Sequence, residues 1–276
     1  MAMKNLKSKW MILGMMVMLV LTGCQKSDTG ATAAGPAPEP IAKEADTKLT
    51  VAAAASLEYA YVEKLIPMFE EKNPSIKIEG VYDSSGKLQT QIEEGLEADL
   101  FMSAAMKQMK NLSEKQMVDK ESIVELLENK IVLIKPVDSE TKVTDFKNIS
   151  EATTIAIGDP ESVPVGEYAK EALENLKIWD GIQSKLSLGT NVTEVLNWVA
   201  ENSAEVGIVY ATDAATTDKV KILAEAPEGS LKKKVIYPVG IVSASKNKEA
   251  AQKFLEFLSS DEALQVFKDY GFTPNK

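Results

Sequence analysis

The chain has 276 residues, 45% of them apolar, enough for one large or two medium globular domains around a sizeable core. It carries 31 basic and 41 acidic residues, and the net charge of −10 argues against nucleic acid or an anionic membrane surface as partner. Histidine is absent and every basic residue is a lysine, which excludes Ser-His-Asp triads, His-based metal sites and guanidinium clamps on carboxylate or phosphate.

Residues 1–23 have the form of an export signal. Lys4, Lys7 and Lys9 precede WMILGMMVMLVL, an apolar core of about a dozen residues that is short for a bilayer span. The segment ends in LTGC. Cys24 is the single cysteine, so no intrachain disulfide can form, and LTGC resembles the lipobox of bacterial lipoproteins, where the cysteine becomes the acylated first residue of the mature chain. Loss of the three lysines in the signal leaves 28 bases against 41 acids, a net charge of −13. Residues 24–47 then form an anchor and a linker. The linker is rich in Ala, Gly, Pro, Ser and Thr and has no apolar periodicity, the composition of a disordered tether.

A folded body begins near Lys48. KLTVAAA predicts a strand, followed by a helix from about Ser56 whose Leu57, Tyr61, Leu65, Met68 and Phe69 share one face. SIKIEGV predicts a second strand, and SSGKLQTQIEEG a second helix stopped by Gly95. ADLFMSA, IVLIKP, TIAIGD, VGIVYA and VKILAE predict further strands with helices between them. VIYPVGIV is a late strand before the amphipathic stretch EAAQKFLEFLSSDEALQVFKDYGF, and Lys232-Lys233-Lys234 is a solvated loop ahead of it. This alternation predicts an α/β fold with mostly parallel strands, a class that holds ligands at the carboxyl ends of its strands.

The strand-to-helix junctions share a character. They offer Ser56, then Ser84 and Ser85, then the loop GDPESVPVGEY, then Asn191, Val192 and Thr193. Each alone is an ordinary helix cap. Together, in a chain without arginine or histidine, they supply helix N-termini that can bind an anion with no charged side chain. Pro160 and Pro164 fix φ in the third loop, and Gly166 permits close backbone approach. Two other patterns fail on inspection. GVYDSSGKL has Leu88 where a P-loop needs Ser or Thr, and SSGK has the Ser-x-x-Lys spacing of β-lactamases without their companion motifs. No EF-hand spacing for a bare cation occurs.

At this point the sequence resembles the periplasmic-type molybdate-binding proteins of ABC transporters, from about Leu49 to Phe272. The resemblance lies in TVAAAASL, SSGKLQTQIEEGLEADLFMSA, GDPESVPVGEYAKEAL, VGIVYATDA and FKDYGF. It implies a periplasmic-binding-protein-like type II fold: two α/β lobes with a ligand cleft between them, lobe one comprising 48–130 plus 236–276 and lobe two 131–235. It further implies a monomeric receptor, not an enzyme, that captures molybdate, and also tungstate, and delivers it to an ABC permease. Neither a cofactor nor a bare metal ion is implied. Cys24 would anchor the exported receptor to the extracytoplasmic face of the cell membrane. Carried over position by position, Ser56 and Ser85 donate through hydroxyl and main chain, Val165 and Val192 through the main-chain N–H, and Tyr210 through its phenolic O–H. Val165 stands where the family often has alanine. Asp83 stands where many relatives have an uncharged residue, and is expected to face solvent. Two alternatives stay open beside this: a receptor of the same fold for sulfate or another tetrahedral oxyanion, and a serine-type hydrolase using a Ser-Lys pair. An adhesin or structural lipoprotein is a third class. An amino-acid receptor is disfavoured, because its ligand's carboxylate is usually gripped by arginine.

Overall fold

The computed structural model describes residues 47–275; the export signal, Cys24 and the tether up to Asp46 lie outside the described residues. The chain passes through β1 (Thr47–Ala54), α1 (Glu58–Ala60), α2 (Ile66–Lys72), β2 (Ile76–Asp83), α3 (Ser85–Glu93), β3 (Leu100–Met102), α4 (Met106–Glu114) and β4 (Val124–Asn129). It crosses into β5 (Ile131–Pro136), β6 (Ile155–Gly158), α5 (Pro164–Asn175), α6 (Trp179–Ile182), β7 (Leu186–Gly189), α7 (Val192–Ala200), β8 (Val206–Tyr210), α8 (Ala211–Ala214) and β9 (Val220–Glu225). It returns through β10 (Val235–Ile241), α9 (Lys248–Leu258), α10 (Asp261–Asp269) and β11 (Thr273–Pro274).

Two sheets result, ordered β11-β4-β10-β3-β1-β2 and β7-β6-β8-β5-β9. Each is flanked by helices and forms the heart of one α/β lobe. Two passages join them. Lys130 alone separates β4 from β5, and residues 226–234 separate β9 from β10. Both sheets are mixed, which corrects the expectation of mostly parallel strands. β1 runs parallel to β2 and β3, and β6 parallel to β7 and β8. β10 runs antiparallel to β3 and β4, and β5 antiparallel to β8 and β9. The cause is the double passage: β4–β5 and β9–β10 cross in opposite directions without an intervening helix, so the crossing strands pair antiparallel within each sheet.

The interior strands read as unbroken apolar runs because both of their faces are covered. Val51, Ala52 and Ala53 of β1 and all seven residues of β10 are buried. Pro238 lies inside β10 even though it cannot donate to a ladder; a register shift between Tyr237 and Pro238 accommodates it. The helix expected after β1 begins with a short 3-10 turn and continues from α1 to α2 through one π turn at Tyr61–Leu65. Its apolar stripe packs inward as the spacing predicts, with Leu57, Tyr61, Leu65 and Phe69 buried and Met68 half-buried. The amphipathic C-terminal stretch divides into α9 and α10 at Ser260, whose side chain accepts from the Ala263 N–H at 3.3 Å. Edge-to-face aromatic contacts tie these elements together. They run from Phe69 and Phe254 (4.8 Å between centroids) towards Phe272 and Tyr237 (5.3 Å). Tyr237 in turn meets Tyr210 at 5.5 Å, across the two sheets. Such pairs contribute about 0.5–1.5 kcal/mol each beyond area burial.

Candidate functional site

Six strands end around one narrow cavity between the sheets. It is lined by Ala54, Ala55 and Ser56 after β1, Asp83 to Ser85 after β2 and Ala104 after β3, and by Val163 to Val165, Val192 and Tyr210 from the second lobe. The free volume left between these residues is small, about 10 Å³. All five residues singled out from the sequence, Ser56, Ser85, Val165, Val192 and Tyr210, are brought together here.

Local chemistry explains why each junction faces inward. Ser84 caps α3 by accepting from the Lys87 N–H at 3.4 Å, which leaves Ser85 at the first helical position. Asn191 caps α7 by accepting from the Glu194 N–H at 2.9 Å, which places Val192 likewise. Pro164 opens α5, where its missing N–H costs nothing, and Val165 follows. The N–H groups of Ser85, Val165 and Val192 belong to the first turns of their helices and meet no acceptor among the described residues. They are the donors that a helix start always leaves over, here on three helices whose first residues line the same cavity.

The hydroxyls are equally constrained. Ser85 is fully buried and its Oγ accepts from the Ala104 N–H at 2.9 Å, which leaves its own proton to donate. Ser56 Oγ lies 2.9 Å from the Tyr237 hydroxyl. The Tyr210 hydroxyl donates weakly, at 3.4 Å, to the carbonyl of Ala104 in the other lobe. Burial pushes the Tyr210 and Tyr237 phenols well above their ordinary range, so both remain neutral O–H groups. Asp213, buried in α8 just after Tyr210, has one carboxyl oxygen without a partner. Burial, opposed in part by the N–H groups of Tyr210 and Asp213, pushes its carboxyl up to about 8, so it places no full charge behind the cavity at neutral pH.

Asp83 departs from the expectation that it faces solvent. It lines the cavity, and its side chain is only 24% exposed. Its Oδ1 is occupied from both sides, by the Ser84 N–H at 2.8 Å and the Lys87 ammonium at 3.3 Å. The same pairing bears on hydrolase chemistry: Lys87, the lysine of the Ser-x-x-Lys spacing, directs its ammonium to Asp83.

The lobes meet across the cavity. The Gly86 N–H donates to the Ser162 carbonyl at 3.0 Å, and a Cβ on Gly86 would stand 2.8 Å from Ser162 Cα. Glu167 of α5 accepts from Lys107 and Gln108 of α4 at 2.9 and 2.8 Å. Ala104, Asn129 and Asp213 were not singled out from the sequence. Ala104 acts through its backbone, and the other two stand behind the cavity wall, so none carries a local motif.

Two α/β lobes joined by a double passage, closed over a cavity of neutral donors at strand ends, define a solute-binding protein. The chain belongs to the bacterial extracellular solute-binding protein family, whose model matches residues 49–273. It is 39% identical over 255 residues to YvgL of Bacillus subtilis (strain 168), described as an ABC transporter substrate-binding lipoprotein; the match covers 92% of this chain and 94% of YvgL. It is also 39% identical over 234 residues to the molybdate-binding protein ModA of Haemophilus influenzae, covering 83% and 91% of the two chains. Among solved structures it resembles a chain from Clostridium difficile described as the substrate-binding domain of a molybdenum ABC transporter. That likeness has a TM-score of 0.65 at 37% identity and covers 83% of this chain and 100% of the other.

Proposed function

We propose that the protein is an extracytoplasmic receptor that captures molybdate, and also tungstate, between its lobes and delivers it to an ABC permease. The observation that carries this reading is the convergence of Ser56, Ser85, Val165, Val192 and Tyr210 on one narrow cavity. Three orphan N–H groups and three hydroxyls surround it; the one charged side chain in the lining is Asp83, whose Oδ1 is held by the Ser84 N–H and the Lys87 ammonium. Neutral donors of fixed direction suit a dianion with no proton of its own, because closure excludes water and strengthens every hydrogen bond. Each such bond to a charged group contributes about 1.5–3 kcal/mol. The likeness to ModA favours molybdate over sulfate in a fold that serves several oxyanions. The two passages serve as the hinge, so that 48–130 plus 236–276 moves as one body and 131–235 as the other. Acylated Cys24 and the tether hold the monomeric receptor at the outer face of the cell membrane, within reach of its permease. The role is capture and release, without catalysis.

The test is thermal unfolding with increasing molybdate, sulfate or phosphate. Molybdate raises the melting temperature in proportion to the logarithm of its concentration, since only the folded state binds. Phosphate, which carries a proton at neutral pH, gives a far smaller shift. Equal shifts from phosphate and molybdate would refute a site that meets its ligand with donors, and no shift from molybdate or sulfate at millimolar concentration would refute the receptor.

A further inference from the structure

Behind Ser56 lies a hydrogen-bond chain whose direction is fixed at its far end. Asn129 closes β4 immediately before the one-residue passage between the lobes. Its Oδ1 accepts the N–H of Lys130 at 2.8 Å, and only an oxygen can accept there. The amide is therefore oriented with Nδ2 away from the passage. Nδ2 donates to Thr212 Oγ1 of α8 at 2.9 Å and to the Tyr237 hydroxyl of β10 at 3.2 Å. Tyr237, fully buried, thus receives a hydrogen from Asn129 and must place its own elsewhere. Among the described residues, the other hydroxyl within hydrogen-bond distance of it is Ser56 Oγ, at 2.9 Å. Ser56 then accepts from Tyr237, and its single proton is left for the cavity.

We propose that Asn129 is a specificity-determining positioning residue: through Tyr237 it locks the Ser56 hydroxyl as a donor and so sets the site against oxyanions that carry a proton. This rests on the oxyanion-receptor reading above and adds to it the residue that gives the site its donor polarity. Ser85 gains the same polarity more simply, from the Ala104 N–H. Among the described residues no backbone N–H donates to Ser56 Oγ, which depends on the relay. Replacement of the amide nitrogen by an oxygen reverses the relay. A carboxylate at 129 still takes the Lys130 N–H on one oxygen, but its second oxygen accepts from Tyr237. Tyr237 then accepts from Ser56, and Ser56 presents a lone pair to the ligand. A lone pair repels molybdate and pairs with the proton of hydrogen phosphate.

The experiment is calorimetric titration of the purified full chain, wild type, Asn129→Asp and Tyr237→Phe, with molybdate and with inorganic phosphate at mildly alkaline pH. Asn129→Asp loses roughly tenfold or more in molybdate affinity, and its phosphate-to-molybdate preference moves towards phosphate by at least roughly tenfold. Tyr237→Phe keeps the ring that packs on Tyr210 and Phe272 and removes only the relay; it weakens molybdate with no gain for phosphate. A merely structural role for Asn129 would weaken both ligands alike and leave their ratio unmoved. An Asn129→Asp protein with the wild-type ratio overturns the proposal while wild-type molybdate binding keeps the receptor reading intact. Where Asn129→Asp fails to fold, wild-type molybdate affinity in Tyr237→Phe overturns the proposal. A wild type that ignores molybdate overturns the receptor reading and the proposal with it.

Discussion

The start of α5 reaches the cavity because residue 166 has no side chain, and Gly166→Ala measures how much that closeness matters. A Cβ at this position would stand 2.5 Å from the carbonyl carbon of Gly158 and 3.0 Å from that of Asp159, and closer still to the Gly158 oxygen. These are backbone atoms of β6 and the turn after it, so they cannot swing aside as a flexible side chain would. Ordinary contact begins at 3.4 Å, so the helix start must retreat from β6 by roughly 1 Å. The Val165 N–H lies one residue earlier and moves with it. A hydrogen bond of about 2.9 Å lengthened by that amount is no longer one. Loss of one donor to a buried anion costs about 1.5–3 kcal/mol, or roughly ten- to a hundredfold in Kd. Overpacking lowers the stability of the ligand-free protein by a further ~1–3 kcal/mol. The control is Gly181→Ala in α6, where a Cβ meets nothing within 4 Å. It leaves binding unchanged and stability unchanged or slightly raised. Molybdate calorimetry and ligand-free thermal unfolding read both effects. A folded Gly166→Ala protein that binds within twofold of wild type would refute the placement of this N–H at the ligand.

Two further outcomes follow from the same geometry. Burial raises the Asp213 carboxyl to about 8 from 3.8, so the native state retains a proton that the unfolded chain releases. Stability therefore falls as pH rises between those two values and levels off above the higher one. Asp213→Asn removes that dependence, so thermal unfolding between pH 5 and 9 shows a decline for wild type relative to the variant, and parallel curves would contradict the burial argument. Val165→Ala removes two methyl groups from a fully buried position and costs about 2 kcal/mol of stability, while affinity stays within a few-fold because the donor is the main chain. A large loss of affinity in a well-folded Val165→Ala protein would mean that the side chain shapes the site.

The parts of this fold that were legible in the sequence are those whose signal is local. β1 and β10 announce themselves as apolar runs, and Ser84 and Asn191 as caps followed by amphipathic turns. Gly95, after α3, takes a positive φ of 105° as a helix stop should. β4, β7 and β11 escaped notice for different reasons. β4 is VELLEN, with two acids in six residues, because it sits next to the two-residue edge strand β11. β7 is only four residues, LSLG, at a sheet edge, and Ser187 interrupts its apolar run. Asn129 was invisible for a deeper reason: its partners Thr212 and Tyr237 lie 83 and 108 positions away. No window of sequence contains that relationship, although the serine junctions, the proline loop and the Asn191 turn were legible locally, with the five cavity positions, Tyr210 among them, implied by the family resemblance. Asp83 shows the limit from the other side. Charge alone argued for an outward carboxylate, but the Ser84 N–H and Lys87 give it a half-buried place at the cavity.

The position of β10 also dictates an order of assembly. It is nearly the last strand to be made, yet it lies in the interior of its sheet, hydrogen-bonded to β3 on one side and β4 on the other. Until residues 235–241 arrive, those two neighbours have unpaired edges and the first sheet stays in two pieces. The second sheet has no such debt, because β5 to β9 are contiguous in the chain. A polypeptide delivered from its N-terminus therefore completes the middle of its sequence first, while its opening strands wait, exposed, for a distant segment. During that interval the half-built sheet offers open strand edges that invite intermolecular pairing, and arrest of delivery before residue 235 would leave one finished lobe attached to one that cannot close.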